Sequence, residues 1–278
     1  MEKVLTIQDI SCIGQCSITV ALPILSSMGI ETAIMPTAVL STHTAFFQGF
    51  TCKDLTDQME PIKEHWQKEQ FKFSGLYTGY LASTEQINIV KDIIQTFKND
   101  HNIYLCDPAM ADNGKLYPAF DLNFAKNMAS LCAISDYIVP NITEACFILG
   151  EAYKEEYDQK YIETLLIKLH QLGAKNVLLT GVKFNDNELG VAMYDGKKIT
   201  YYLRKKINKM FHGTGDIFAS CFFGGLIRGL SMKEAAKLAV EFVVSSIEET
   251  LDVVDTHWYG VRFERCLKML TNYKYQNE

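Results

Sequence analysis

The sequence lacks several features that would define whole classes of protein. No apolar run approaches the roughly 20 residues that a membrane span needs, and the start, MEKVLTIQDI, is not typical of a secretory signal peptide. No CxxC pair occurs among the eight scattered cysteines, so we predict no zinc site and expect small buried side chains. Basic residues are not in excess, because the net charge is −6. These absences argue against nucleic acid or membrane partners and favour a cytoplasmic protein.

Nucleotide-binding signatures of the commonest kinds are also missing. The chain has no Walker A motif, no HRD or DFG segment, and no Gly-rich loop after its first apolar run. It contains no repeat, no low-complexity stretch and no Pro/Gly/Ser-rich linker. We therefore predict one domain that spans residues 1–278 and binds any nucleotide by other means.

What is present is an alternation of short apolar runs with helical patterns of 10 to 20 residues. This alternation predicts βαβ units around a mostly parallel sheet, with Asp195-Gly196 as the turn of a hairpin. Ligands of such sheets lie beyond the carboxyl ends of the strands. The residues predicted to follow strands are unusually polar, namely Asp9, Tyr80, Asp107, Asn141 and Thr180.

The strongest local signal is Gly213-Thr214-Gly215-Asp216, which opens a long apolar helical segment. The glycines and the free amides of a helix start can form an anion hole for a phosphoryl group in transfer. Asp216, in the first turn, can accept a proton from an attacking hydroxyl. The alternative is an ordinary loop with Asp216 as the N-cap. A buried helix start makes an unused carboxylate costly, which favours the functional interpretation.

This segment resembles the GTGD signature of the ribokinase superfamily, and other motifs follow in the family's order. Asn141 to Glu144 resembles the N-x-x-E motif, Asp107-Pro108 with Asp112 the DP…D segment, and Thr180-Gly181 a strand end that meets nucleotide phosphates. The resemblance implies a three-layer α/β/α fold without a separate lid. It also implies ATP as donor, Asp216 as catalytic base, Gly213, Thr214 and Gly215 as the anion hole, and Mg²⁺ near Asp107 and Glu144.

Taken singly, these motifs have simpler interpretations. Asn141 and Glu144 also read as a helix cap and a capping box. Asp107 can start an Asx turn before Pro108, and Thr180-Gly181 can be an ordinary turn.

Within the superfamily the chain is most similar to the vitamin B6 kinases. The similarity lies in Gln8–Gly14, Ser41–Phe46, Tyr77–Tyr80 and Asp112–Tyr117. It implies that a hydroxymethyl pyridine is phosphorylated at its 5′-hydroxyl and that the protein is a homodimer. Substrate contacts are expected from Asp9, Ser11, His43, Thr44 and Tyr80, with Leu40, Phe46 and Phe47 beside His43 in a flat slot. Nucleotide contacts are expected from Asp112, Tyr117, Asn141, Thr180, Gly181, His212, Gly213 and Gly215.

Departures from that pattern leave alternatives open. Asp9 stands where those kinases tend to have Ser, which would suit an amine or a protonated ring nitrogen. Val139 replaces a Thr, which weakens a monovalent-cation site, although the resemblance still allows K⁺ at Asp107, Glu144 and Thr180. The second hypothesis is a hydroxymethylpyrimidine kinase of thiamin synthesis. The third is a vitamer-binding relative without catalysis.

Overall fold

A computed structural model describes residues 2–45, 47–209, 211–255 and 257–275. The chain has a mixed α/β fold with a large, mostly parallel central sheet, as the alternation of patterns predicts. Within the described residues, no helix combines the length and the apolar character that crossing a bilayer requires.

The regular elements follow one another in the order that the sequence indicates. The strands are β1 (Lys3–Ser11), β2 (Glu31–Leu40), β3 (Cys52–Asp54), β4 (Gly75–Thr78), β5 (Ile103–Cys106), β6 (Ala111–Asp112), β7 (Lys115–Leu116), β8 (Tyr137–Ile138), β9 (Asn176–Val182), β10 (Glu188–Tyr194) and β11 (Ile199–Lys205). The helices are α1 (Ile18–Ser27), α2 (Thr56–Lys68), α3 (Thr84–Phe97), α4 (Leu122–Cys132), α5 (Ile142–Leu149), α6 (Gln159–Leu172), α7 (Thr214–Ile227), α8 (Met232–Glu248) and α9 (Leu267–Thr271).

The chain divides into two compact units, and β4 contains the passage from the first to the second. The first unit comprises Met1–Leu76 and Ile207–Glu278. In it β1 and β2 pair in parallel, and the short β3 joins the other edge of β2 in antiparallel fashion. The second unit is Tyr77–Lys206, in which β5, β8 and β9 are parallel neighbours and β9, β10 and β11 form an antiparallel meander.

Helix α7 lies at the centre of the first unit, where it packs against α1 and α8. In this helix Ile217, Phe222 and Phe223 are fully buried. Each such side chain contributes roughly 1.5–3 kcal/mol by leaving water. Two glycines near the end of α7 allow close packing, because a Cβ on Gly224 would lie 2.4 Å from Met28 Sδ and one on Gly225 3.0 Å from Ala235 Cβ. The helix is therefore packed tightly against its neighbours.

Several local predictions are confirmed at the helix ends. Ser83 caps α3 by accepting from the Gln86 amide, and Asn141 and Glu144 form a reciprocal capping box on α5. Gly150 follows α5 in the left-handed conformation. The Asp195-Gly196 hairpin is present between β10 and β11.

Other expectations need correction. Helix α7 begins at Thr214, not at Asp216, because Gly213 occupies the N-cap position. The segment predicted as one helix over 262–270 is a 3₁₀ turn, Phe263–Cys266, followed by the short α9. The cysteines are not all buried, since Cys12 and Cys52 are exposed and Cys16 is half-buried.

Candidate active site

Asp9 lies in the first unit where β1 and β2 lose their regular register. Gln8 pairs with Pro36 and Ile10 with Val39, so β2 carries one extra residue opposite Asp9. Irregularities of this kind re-aim a side chain. The buried carboxylate of Asp9 accepts the Ser11 hydroxyl at 3.0 Å and the Ser17 hydroxyl at 2.5 Å. Burial raises its pKa, although both hydroxyl donors oppose that shift.

Ser17 lies between Asp216 and Asp9. The Ser17 hydroxyl donates to Asp9, and the Ser17 backbone N–H is close enough to the Asp216 carboxylate to lower the pKa of that group. Ser17 adopts φ 54°, a left-handed conformation that is strained for serine, and it does not cap α1 with its side chain. We call Asp9 and Asp216 the carboxylate pair.

The environment of Asp216 suits a general base. Burial raises the pKa of Asp216 to about 7, and repulsion from Asp9 acts in the same direction. A base is most effective when its pKa lies near the working pH. Asp216 as a whole residue is half-buried, while its carboxyl group is the part that burial affects most.

The start of α7 has the amide geometry that the sequence predicts. The first helical hydrogen bond joins Ile217 N to Gly213 O at 3.0 Å, so the amides of Thr214, Gly215 and Asp216 face out of the helix start. Gly213 is left-handed at φ 80°, and a Cβ there would lie 1.8 Å from the Gln15 carbonyl oxygen. The interpretation of Asp216 as an N-cap is wrong, because no side chain caps this helix.

The predicted aromatic slot is built around His43. The buried His43 donates from Nε2 to the Tyr259 carbonyl oxygen at 2.8 Å, and within the described part of the chain its Nδ1 has no hydrogen-bond partner. Its ring lies 4.9 Å from Phe47 in an edge-to-face contact and 6.1 Å from His212. Thr44 is exposed in the same loop, and Leu40 is buried at the end of β2. Phe46, which we expected in the slot, lies outside the described residues.

The second unit holds the residues that resemble the N-x-x-E motif. Glu144 is buried; its Oε2 accepts the Asn141 amide at 2.8 Å and its Oε1 accepts the Met110 amide at 3.2 Å. Burial raises the pKa of Glu144 to about 8, and the negative charge of Asp112 acts in the same direction. Thr180 forms a parallel bridge with Asn141, so these two predicted residues are direct neighbours.

The remaining predicted residues of the second unit lie on loops and strand ends. β6 and β7 form a hairpin around Asn113-Gly114, and the Gly114 amide donates to Thr143 Oγ1 at 3.0 Å. Asp112 and Tyr117 are exposed at this hairpin. The Asn141 side-chain amide donates to the Ala111 carbonyl oxygen at 2.8 Å and so ties the hairpin to the start of α5. The Tyr80 ring lies 5.4 Å from the Phe120 ring. The Asp107 backbone amide donates to the Thr78 carbonyl oxygen at 2.8 Å. Gly181 is exposed and has a φ of 72°.

The donor set of this unit fits a hydrated magnesium ion. In the described ranges no group of three or more His, Cys, Asp or Glu could hold a metal by itself. Mg²⁺ commonly takes one or two carboxylates and completes its shell with water and substrate phosphate oxygens. Each Glu144 oxygen accepts one backbone amide, from Met110 or Asn141, and a carboxylate oxygen has a second lone pair that water can use. Asp107 is the second buried carboxylate of the motif set.

Sequence reasoning missed the residues that hold the first unit's site together. Besides Ser17, these are Gln15, which donates to Glu264 at 3.1 Å and contacts His257 Nε2 at 3.0 Å, and the segment His257 to Tyr259. Trp258 in that segment lies 4.8 Å from Phe47. This segment lies more than 200 residues after Phe47 in the sequence, so no local pattern links the two. The aromatic composition of the segment was the one available signal of the contact.

The α/β fold, the glycine-bounded start of α7 and the motif order together define the class of ribokinase-like kinases. The chain belongs to the phosphomethylpyrimidine kinase family, whose profile matches residues 24–260. That family assignment agrees with the resemblance drawn from the motifs.

Individual relatives include kinases of two related substrates. The chain is 30% identical over 268 residues to the pyridoxal kinase of Dictyostelium discoideum, covering 89% of this chain and 86% of that protein. It is 28% identical over 185 residues to the hydroxymethylpyrimidine/phosphomethylpyrimidine kinase of Aquifex aeolicus, covering 66% and 70%. A Bacteroides thetaiotaomicron protein, provisionally named a phosphomethylpyrimidine kinase and crystallised with pyridoxal, is 35% identical, with a TM-score of 0.93 and 99% and 97% coverage.

Proposed function

We propose that the chain transfers the γ-phosphoryl group of ATP to the 5′-hydroxymethyl group of a B6 vitamer. The observation that carries this proposal is Asp216, a half-buried residue whose carboxyl pKa is about 7, in the first turn of a buried helix. Family membership supports phosphoryl transfer, and similarity to pyridoxal kinases supports the vitamer.

In the proposed reaction Asp216 accepts the proton of the 5′-hydroxyl as its oxygen attacks the γ-phosphorus. The bond from the γ-phosphorus to the bridging oxygen breaks, and ADP leaves with the electron pair. The amides of Gly213, Thr214 and Gly215 stabilise the negative charge on the transferred group. Asn141, Thr180, Gly181, Asp112, Tyr117 and His212 are proposed to contact the nucleotide, and Ser11, His43, Thr44 and Tyr80 the pyridine.

Asp107 and Glu144 would hold Mg²⁺, which supplies positive charge to the phosphate oxygens when it is bound. The expectations of K⁺, a homodimer and a cytoplasmic location stay predictions.

Phosphorylation of hydroxymethylpyrimidine is the second candidate function. Its support is the family itself and the similarity to the Aquifex kinase. The carboxylate of Asp9 also suits this substrate, because an aminopyrimidine offers an exocyclic amine as donor. A shared fold and a shared hydroxymethyl group make both acceptors chemically compatible with Asp216.

A substrate panel tests the proposal against both alternatives. ADP release is measured with pyridoxal, pyridoxamine, pyridoxine and hydroxymethylpyrimidine at the same ATP concentration. Turnover of at least one vitamer with higher kcat/KM than the pyrimidine is expected. Turnover of the pyrimidine alone would replace our assignment with the second candidate. Tight vitamer binding without turnover would identify a non-catalytic relative.

A further inference from the structure

Asp9 is a buried carboxylate whose side-chain hydrogen-bond partners among the described residues are neutral hydroxyl groups. It is 4% exposed, and it accepts hydroxyl groups from Ser11 and Ser17. An ionised carboxylate offers about four lone-pair positions, so these two bonds leave acceptor capacity. The carboxylate is therefore held in place by its neighbours and still able to bind a further donor.

The charge of Asp9 has no ion-pair partner of the usual kind. In the described part of the first unit, no lysine or arginine forms an ion pair with Asp9. Asp216 carries charge of the same sign and feels the charge of Asp9. His43 lowers the pKa of Asp9, but burial raises that pKa by more, and the His43 ring is oriented by its Nε2 bond to a backbone carbonyl. Burying a carboxylate without a cation costs several kcal/mol, which a cationic ligand would offset.

The arrangement of the carboxylate pair matches one type of acceptor. Ser17 donates its hydroxyl to Asp9 and acts on Asp216 through its backbone N–H, and Asp9 and Asp216 repel each other, so the two carboxylates are neighbours. A ring that directs a hydroxymethyl group to Asp216 can direct the substituent on the adjacent ring carbon to Asp9. In the B6 vitamers that adjacent substituent is the 4′ group, which is an aminomethyl, hydroxymethyl or aldehyde group.

We propose that Asp9 is a specificity-determining residue that binds the 4′-ammonium group of an aminated acceptor, so that pyridoxamine is the preferred vitamer. The inference rests on the proposed function and names the substrate within it. An alkylamine is cationic at neutral pH, with a pKa of about 10, and donates up to three charge-assisted hydrogen bonds. A 4′-hydroxymethyl group donates one neutral bond, and a 4′-aldehyde donates none.

The experiment compares Asp9→Asn and Asp9→Ser with the wild-type chain on all three vitamers. Asp9→Asn keeps the shape and removes the charge, whereas Asp9→Ser shortens the side chain. The control is Asp57→Asn, the same chemical change at an exposed position on α2. The wild type is expected to have its highest kcat/KM with pyridoxamine. Asp9→Asn should lower that value by roughly 10- to 100-fold and the value for pyridoxal by less than about threefold.

The ratio of the two kcat/KM values decides the result, because a general folding defect lowers both values together. Equal losses for all vitamers would overturn the proposal and point to the shared ring nitrogen. An unchanged ratio in both variants would overturn it as well. Inactivity of the wild type on every vitamer would defeat the proposed function instead. Calorimetric titration of pyridoxamine and 4-deoxypyridoxine, which lacks the amine, would then decide the role of Asp9 by the same variants.

Discussion

Among single side chains, Asp216 carries the largest share of the proposed chemistry. Replacing it by Asn keeps the shape but removes the proton acceptor, so kcat should fall by roughly 10²- to 10⁴-fold. The KM for ATP should change little, because the base does not contact the donor before transfer. Steady-state kinetics with both substrates varied will measure the two effects. A kcat within about twofold of wild type would remove Asp216 as the base.

The pKa of Asp216 also predicts the pH dependence of the reaction. Because that pKa is raised to about 7, the carboxyl is protonated at pH 5–6 and cannot accept the substrate proton. We expect kcat/KM to rise tenfold per pH unit on the acid side and to level off above pH ~7. The measurement is a pH–rate profile of the wild type with a fixed vitamer. If the activity fell only below about pH 4, the group that limits the rate would have an ordinary carboxyl pKa, and the raised pKa of Asp216 would not govern the reaction.

The proposed role of Glu144 predicts how the activity depends on the Mg²⁺ concentration. Glu144→Gln can still cap α5 through its side-chain oxygen but cannot ionise, so it loses the carboxylate that a hydrated cation would bind. The Mg²⁺ concentration at half-maximal activity should therefore rise by about tenfold or more. Glu155→Gln, an exposed position in the same unit, is the matched control. Identical Mg²⁺ dependence in the two variants would leave Glu144 with only its capping role.

Among the secondary-structure elements, α7 depends on the glycine before it. A Cβ at Gly213 would meet the Gln15 carbonyl oxygen at 1.8 Å, in addition to the strain of a left-handed φ of 80°. Gly29 provides a control, since its φ is 75° but nothing lies within 4 Å of its Cβ position. Gly29→Ala should cost about 1–2 kcal/mol of unfolding free energy from the backbone alone.

Gly213→Ala should cost more than that, since the loop from Gln15 to Ser17 must move. The movement displaces the Ser17 amide from Asp216, so kcat should fall together with stability. Denaturant unfolding and kinetics on both variants make the comparison. Equal stability losses and an unaffected kcat would show that the loop is not positioned by this contact.

The helices and long strands could be predicted because local signals agree with the fold. Ser83, the Asn141–Glu144 capping box and Gly150 mark helix ends by chemistry that acts within a few residues. Short strands such as β3 could not be predicted, because three exposed residues carry no periodic pattern. The β6–β7 hairpin had a usable signal in Asn113-Gly114, whose φ values of 50° and 74° suit a tight turn.

The candidate site was predictable wherever a motif is contiguous and unpredictable wherever it depends on long-range contact. Gly213 to Asp216 is one segment, and the helix begins there at Thr214, two residues before the expected start at Asp216. Ser17 reads in sequence as an ordinary helix cap, yet it serves two carboxylates that are distant along the chain. His43 and Tyr259 meet across 216 residues, which no local pattern encodes.

At the scale of the whole molecule, we predict that the ionised carboxylate of Asp216, which the proposed reaction needs, lowers the free energy of unfolding. The pKa of Asp216 is raised in the folded state from 3.8 to about 7, so the folded chain holds a proton that the unfolded chain has released. Its stabilising contribution is complete below pH ~3.8, is lost as the pH rises to about 7, and stays lost above that. Asp216→Asn cannot ionise, so this decline should disappear in the variant.

We therefore expect Asp216→Asn to exceed the wild type in unfolding free energy at pH 8 and to match it at pH 4. A shift of one pKa unit corresponds to about 1.4 kcal/mol. Because Asp216 is only half-buried as a residue, we expect the difference in unfolding free energy at pH 8 to be reduced to roughly 2 kcal/mol. Denaturant titrations at the two pH values, with Asp57→Asn as the control for losing a surface charge, measure the difference. A variant less stable than wild type at pH 8 would mean that the ionised carboxylate is satisfied by its surroundings. In that case Asp216 would have a structural role in its loop, and the idea that it lowers stability in order to serve as a proton acceptor would be wrong.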